Sequence, residues 1–396
     1  MRIAGLECLH ADAGWRNFSF LKLVTDEGLV GWAEFNDGFG AGGVEDIIRR
    51  MQPHVLGQDP REAARLSVTL RALTRLAPGG LNHQAIAAIE NACLDVKAKA
   101  LGVPVHALFG GKLRDRLALY WSHCGSFRAW QPEFFERQLG LAPVRSLEDV
   151  TRLGAEVSQR GFKALKTNPL NLDPAAPRFN GGFRPGPGLI DRHPDGRYIA
   201  SITDVLAAFR AGAGPHMGIL FDLNFNQRTE GFRRIAKAVE KFDLTWLEID
   251  IADPDALALI RRSSSTPIAS LEGIHGLGAY RPFLAAGAVD VAIVDVLWNG
   301  AWESFRIAAL ADAYEVDIAP HNFTGHLCTL MSAQLCAAIP NFRIMEIEVD
   351  DVPWKDDLVT VPPVIENGAL VVPDAPGWGA DVNEEAVRAH PPKRRG

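Results

Sequence analysis

The sequence contains no run approaching the roughly 18 uninterrupted apolar residues that a membrane-spanning helix requires. Its opening stretch carries Arg2, Glu7, Asp12 and Arg16 where a signal peptide would have an apolar core, so a soluble cytoplasmic protein without a membrane partner is expected. Cysteine is scarce and scattered. Cys8, Cys93, Cys124, Cys328 and Cys336 are odd in number and form no C-x-x-C pair, which speaks against a disulfide framework and against a thiolate metal centre. Excess positive charge is missing too. With 41 Lys and Arg against 48 Asp and Glu the formal net charge is -7, and no basic face recurs, so nucleic acid is not an expected partner. The short basic end Lys393-Arg394-Arg395 reads as a solvated tail. There is also no G-x-x-x-x-G-K-[ST] loop, no G-x-G-x-x-G between strand and helix and no G-x-S-x-G elbow, so nucleotide, dinucleotide and serine-hydrolase chemistry have no anchor.

What is present is an ordinary globular composition over 396 residues, enough for two or three domains or for one large barrel with an extra domain. The first 35 residues read as an antiparallel meander: Phe18 to Val24 and Leu29 to Glu34 flank the turn Asp26-Glu27-Gly28. Helical periodicity follows over Val44 to His54, Arg61 to Leu76 and Gln84 to Leu101, the last stopped by Gly102 and Pro104. Residues 1–116 are therefore expected to form an α+β capping domain.

From Leu117 short apolar runs alternate with helical stretches, the pattern of a parallel sheet. The runs end on Asp222, Glu248, Glu272, Asp295, His321 and Glu346, at intervals of 26, 24, 23, 26 and 25 residues. Each interval is one strand-helix unit. Two earlier strands, Leu117 to Tyr120 and Phe162 to Lys166, bring the number to eight, which predicts an α/β fold with a (β/α)8 barrel over residues 117–350. Residues 351–396 are expected to return to the cap, with Gly368 to Val372 as a strand rejoining the N-terminal unit. The glycine-rich stretch 181–188 is interrupted by prolines that remove amide donors, and reads as a lid over the barrel mouth rather than a phosphate cradle.

In such a barrel the strand ends converge on one site. Asp222, Glu248 and Glu272 would place three carboxylates around one point, and their mutual repulsion is resolved by a hard divalent cation, best Mg²⁺. Asp295 and His321 end neighbouring strands, so the carboxylate can fix the imidazole and leave its other nitrogen to act as a base. On the second strand, alternation puts Phe162, Ala164, Lys166 and Asn168 on one face, so that Lys166 enters the site and Lys163 does not. An ammonium there can stabilise charge that develops on a carboxylate.

These residues resemble the enolase superfamily, mandelate racemase subgroup, in its acid-sugar dehydratase branch, which includes the galactonate dehydratases. The likeness runs through Gly80-Leu81-Asn82-His83-Gln84-Ala85-Ile86, Glu90-Asn91 and Asp95-Val96-Lys97-Ala98-Lys99 in the cap, then Gly161 to Lys166, Phe221-Asp222-Leu223-Asn224-Phe225-Asn226-Gln227, Trp246-Leu247-Glu248, Ile268 to Glu272, Asp295, His321 and Pro376-Gly377-Trp378-Gly379. It implies Mg²⁺ on Asp222, Glu248 and Glu272, a His321/Asp295 base, Lys166 and Glu346 polarising the substrate carboxylate, and Asn224 touching substrate. It also implies a small-molecule acid-sugar substrate, and a homo-oligomer is expected.

Three positions depart from the family pattern. Asn168 stands where racemases carry a second lysine, Ile249-Asp250 replaces the usual Glu-Pro after Glu248, and Asn224 occupies the position of the histidine with which galactonate dehydratases protonate the leaving hydroxide. The expected reaction is abstraction of the proton α to a carboxylate and loss of the β-hydroxyl to give a 2-keto-3-deoxy acid, with an isomerase or a non-catalytic sugar-acid binder as alternatives. His321 is expected to return its proton to the leaving group in a syn elimination, with His123, His193 and Tyr198 as other candidate acids. Of the polar residues in the insertions (His123, Arg128, Asn171, Arg178, Asn180, Arg184, Arg192 and Arg197), His123 and Arg128 are expected to bind substrate because they directly follow the first barrel strand, and Asn168 and Asn224 complete that set.

Overall fold

A computed structural model of the chain describes residues 1–38, 41–170, 172, 193–225 and 227–392. The stretch 181–188, Asn171, Arg178, Asn180, Arg184, Arg192 and the basic end from Lys393 lie outside the described residues.

The cap begins with an antiparallel sheet of β1 (Ile3–Asp12), β2 (Asn17–Thr25) and β3 (Val30–Phe35), in that spatial order. Three helices, Val44–Val55, Ala63–Leu73 and Gly80–Leu101, follow. The third starts four residues before Gln84, because the glycine pair at 79 and 80 masks a helix start that lies on Gly80 itself. It ends where Gly102 adopts φ 68 and donates back to Ala98 and Lys99. This helix packs on β3 so closely that a Cβ on Gly31 would lie 2.2 Å from the Ala92 carbonyl oxygen, and only glycine fits.

The barrel consists of β4 (Arg116–Trp121), β5 (Ala164–Thr167), β6 (Gly218–Asp222), β7 (Trp246–Glu248), β8 (Ile268–Ser270), β9 (Val291–Val294), β10 (Asp317–Pro320) and β11 (Met345–Ile347). Neighbours pair in parallel from β4 to β10, and β11 pairs with β4. Between β10 and β11 the circle is closed by Ile318 N donating to Asn341 O (2.7 Å) and Arg343 N to Ile318 O (2.9 Å). Its interior is filled by Tyr120, Ala164, Leu220, Trp246, Ala269, Val291, Ile293 and Ala319, a cluster separate from the large apolar layer between strands and helices. Phe162 belongs to that outer layer, against Trp121, rather than sharing the face of Ala164, since β5 begins only at Ala164.

After the barrel come β12 (Ile365–Glu366) and β13 (Ala369–Val371). The second of these differs from the expectation of a strand in the cap: it pairs antiparallel with Arg116 to Ala118 at the start of β4, where the barrel offers an open backbone edge. The contact with the cap is made by later residues. Trp378 Nε1 donates to Trp32 O (2.8 Å), Trp378 N donates to Asp95 Oδ1 (3.0 Å), and Asp12 N donates to His390 O (2.8 Å). Among the described residues no helix is long and apolar enough to cross a membrane.

Candidate active site

The carboxyl ends of the barrel strands present the ionisable residues to one buried space. His321 follows β10 and is fixed by its own amide, which donates to Val294 O (3.0 Å). Its Nδ1 donates to Asp295 Oδ2 at 2.6 Å, while Asp295 Oδ1 accepts from Leu297 N and Trp298 N at the start of the helix Val296–Asn299. One oxygen anchored by backbone amides and the other on the imidazole leave the ring a single orientation. Nε2 lies 3.8 Å from Glu272 Oε2, and the ring is flanked by Trp298 and Phe323 at centroid distances of 4.8 and 5.0 Å. Burial disfavours the charged ring, but Glu272 and Asp295 outweigh it and raise its pKa to about 10. The loop beyond His321 is held from the cap: Glu34 at the end of β3 accepts from Gly325 N (2.6 Å) and Cys328 N (2.9 Å).

Lys166 on β5 lies in the same space, with Nζ 3.0 Å from Glu346 Oε1, 3.2 Å from both Glu248 oxygens and 4.0 Å from Asp222 Oδ2. Burial again opposes the charge, and Glu248 and Glu346 more than offset it, holding the ammonium well above the usual lysine range. Glu346 also accepts from Ser122 Oγ and from Asn322 N, the latter at 2.7 Å. Burial would raise its pKa, yet Lys166 and His321 keep it well below the ordinary carboxylate value.

The other acids are under strain. Asp222 accepts from Asn224 N (2.7 Å) and from Asn224 Nδ2 on both oxygens, and Glu248 accepts from Trp246 Nε1 (3.0 Å). Burial first, and then neighbouring carboxylates, push Asp222, Asp250 and Glu272 all upward. This is the signature of an all-oxygen donor set short of positive charge, and it fits a hard divalent cation in chemistry. Of the three expected ligands, Asp222 accepts from Asn224, Glu248 accepts from Trp246 and Lys166, and Glu272 faces His321 Nε2 at 3.8 Å. Among the described residues, the His/Cys/Asp/Glu group whose ligand atoms all lie within 4.8 Å of one another is instead His10, Asp37 and Glu45 in the cap.

Asn168 is buried beside this set, its Nδ2 donating to Asp222 O (3.3 Å) and its Oδ1 accepting from Ser126 Oγ (2.8 Å). Asn224 has φ 50, and its buried Oδ1 meets no donor. His123 reaches the site: its ring is 5.8 Å from Phe323, its Nδ1 is 2.8 Å from Glu348 Oε2, and burial lowers its pKa to about 3. Arg128 does not serve substrate in this arrangement. Its guanidinium is saturated by Asp350 (2.8 Å from both Nε and Nη2) and Glu156 (3.0 and 3.2 Å), because the helix Ser126–Trp130 turns it toward the loop after β11. His193 is exposed and Tyr198 lies in the outer apolar layer.

Sequence reasoning passed over Asp250 and Glu348 as members of the site. Both stand two residues beyond a strand-end acid, as Asn168, Asn224 and Phe323 stand two beyond Lys166, Asp222 and His321. Strand alternation carried one step past each strand would have found them.

Comparison with known proteins agrees with this geometry. Residues 12–110 match the mandelate racemase / muconate lactonizing enzyme N-terminal domain, and residues 149–386 match the enolase C-terminal domain-like family. A D-xylonate dehydratase of Haloferax volcanii is 30% identical over 93% of this chain and 84% of its own. A crystal structure from Burkholderia xenovorans strain LB400, named as a candidate L-alanine-DL-glutamate epimerase, is 46% identical with a TM-score of 0.95 over 100% of both chains. A second structure under that name, bound to magnesium and fumarate, has a TM-score of 0.94 at 46% identity, covering 100% of this chain and 97% of its own.

Proposed function

The chain belongs to the mandelate racemase / muconate lactonizing enzyme group of the enolase superfamily, and from that premise we propose that it is a Mg²⁺-dependent hydro-lyase converting an acid sugar into its 2-keto-3-deoxy acid. The observation that carries this reading is a base fixed by a carboxylate, His321 on Asp295, sharing one buried space with the clamped ammonium of Lys166. The dehydratase name of the Haloferax volcanii relative supports it.

Mg²⁺, held by Asp222, Glu248 and Glu272, would supply Lewis-acid polarisation of the substrate carboxylate. The chain does the rest. His321, its Nδ1–H committed to Asp295, takes the α-proton on Nε2. Lys166 donates from Nζ toward the carboxylate oxygen on which negative charge develops, and Glu346 keeps that ammonium in place. Asn224 Oδ1, an acceptor the protein leaves unused, suits a substrate hydroxyl. The imidazolium of His321 then returns its proton to the β-hydroxyl on the same face. The Cβ–O bond breaks, water leaves, and the enol tautomerises to the keto acid.

The test is a screen of the purified protein with Mg²⁺ against acid sugars, scored for 2-keto acid and for deuterium uptake in D₂O. His321→Asn is expected to lose both by at least the 10²- to 10⁴-fold that a positioned base supplies. Elimination that survives in this variant overturns the assignment of the base. The name of the Burkholderia xenovorans protein favours a second reading, an isomerase that shares the first step. Against it stands Asn168, an amide that cannot take a proton where a second lysine would serve the other face. Deuterium exchange with an isomer as the product, and no keto acid, would establish the isomerase.

A further inference from the structure

Arg16, in the connection between β1 and β2, is buried at 3% exposure and has more hydrogen-bonding capacity than the protein uses. Its Nη2 donates to Asp351 Oδ2 at 2.5 Å, while Nε and Nη1 are buried and meet no acceptor. Guanidinium donors left dry in this way are costly unless something else occupies them. Nor is Asp351 a private counter-charge, because Lys355 Nζ lies 3.0 Å from the same Oδ2. Both cations lean on this carboxylate, with Glu348 the other acid that faces the pair.

The position of this surplus is informative. The guanidinium carbon lies 4.4 Å from the Trp15 ring and 5.1 Å from those of Phe18 and Phe323. Phe323 in turn lies 5.0 Å from His321 and 5.8 Å from His123, so one aromatic ring separates Arg16 from the base. The nearby acid Glu348 is tied to His123 through Oε2, and its buried Oε1 has no donor. Unused donors on Arg16 and an unused oxygen on Glu348 thus lie beside the site, on the cap side of His321.

We propose that Arg16 receives a second anionic group of the substrate, so that the acid sugar is a dicarboxylate: one carboxylate is activated beside Lys166, and the far one is held by Nε and Nη1 of Arg16. A carboxylate supplies two charged acceptors to the idle Nε and Nη1 groups in the forked geometry a guanidinium favours. A neutral terminal hydroxyl offers one uncharged acceptor and cannot span both N–H groups. This inference rests on the proposed acid-sugar function and narrows its substrate class.

Binding separates the two. The purified protein with Mg²⁺ is titrated calorimetrically with hexaric and pentaric acids and with the aldonic acids of matching configuration, galactarate and galactonate among them. The wild type is expected to prefer a dicarboxylate, and in Arg16→Gln the ratio of dicarboxylate to monocarboxylate affinity is expected to fall on the order of 100-fold, the usual cost of removing one partner of a buried charged pair. Arg16→Lys, which keeps the charge beside Asp351, guards against misfolding and is expected to lose the same preference in part, with its melting temperature reported alongside. A wild type that binds no dicarboxylate of the panel, or an Arg16→Gln protein that is folded and weakened equally toward both classes, overturns the proposal. Arg16-dependent dicarboxylate binding without keto acid from any compound leaves Arg16 assigned and removes the dehydratase reading instead.

Discussion

Glu90 shows how one buried charge sets a pH response far from the site. It lies inside the cap helix Gly80–Leu101, accepts from Ser67 Oγ at 2.8 Å, and is pushed up to about 7, chiefly by burial. A folded-state pKa above the unfolded value means that the native protein holds this proton more tightly. Stability from this group is therefore present below about 4.5 and is lost as the pH rises through 7, by about 3 kcal/mol in all. His83, about two helical turns earlier, is lowered to about 4 by burial and Arg71, and works the opposite way, losing stability as the pH falls from 6.5 toward 4. The expected result is accordingly a difference between two proteins. Relative to Glu90→Gln, the wild type should lose melting temperature between pH 4.5 and 7 and stay level above it, and parallel melting curves across that range would refute the assignment. The chemistry-bearing residues at the strand ends could be found in the sequence because their intervals are nearly constant. Arg16 could not, since nothing in the local pattern of residues 13–16 says that this turn meets Asp351, its partner 335 residues later in the chain.

Gly31 and the helix it accommodates make the matching point for secondary structure. The helix packs on β3 at backbone distance, so Gly31→Ala forces a Cβ into the Ala92 carbonyl. Overpacking of this kind is expected to cost about 1–3 kcal/mol, measured by urea unfolding, with unchanged stability as the contrary result. The strands were legible from runs such as Val291–Val294 because a barrel strand is buried on both faces and so reads as uninterrupted apolar residues. One boundary and one strand pairing were not. The helix start at Gly80 is hidden by residues that ordinarily break helices, and β13 was assigned the wrong neighbour because an apolar run of this length carries no record of which open edge it will meet.

Trp378 joins the segment after the barrel to the cap. It is fully buried and bonds to Trp32, while the Asp95 carboxyl takes the amides of both Trp32 and Trp378 along with the ammonium of Lys99. Trp378→Ala is expected to cost about 3–5 kcal/mol. Because Glu34 of the same cap holds the loop after His321, the variant should lose turnover along with stability. Proteolysis that releases the cap from a barrel of undiminished activity would show the two to be independent. The clasp also has a meaning in time. A ribosome delivers the cap's sheet and its long apolar helix before the barrel, yet the residues that seal them, from Trp378 to His390, emerge only after all eight barrel strands have been made. While the barrel is being made the nascent chain must carry an unfinished hydrophobic surface on its cap, and the base acquires its final setting only when the residues that follow the barrel have come back to it.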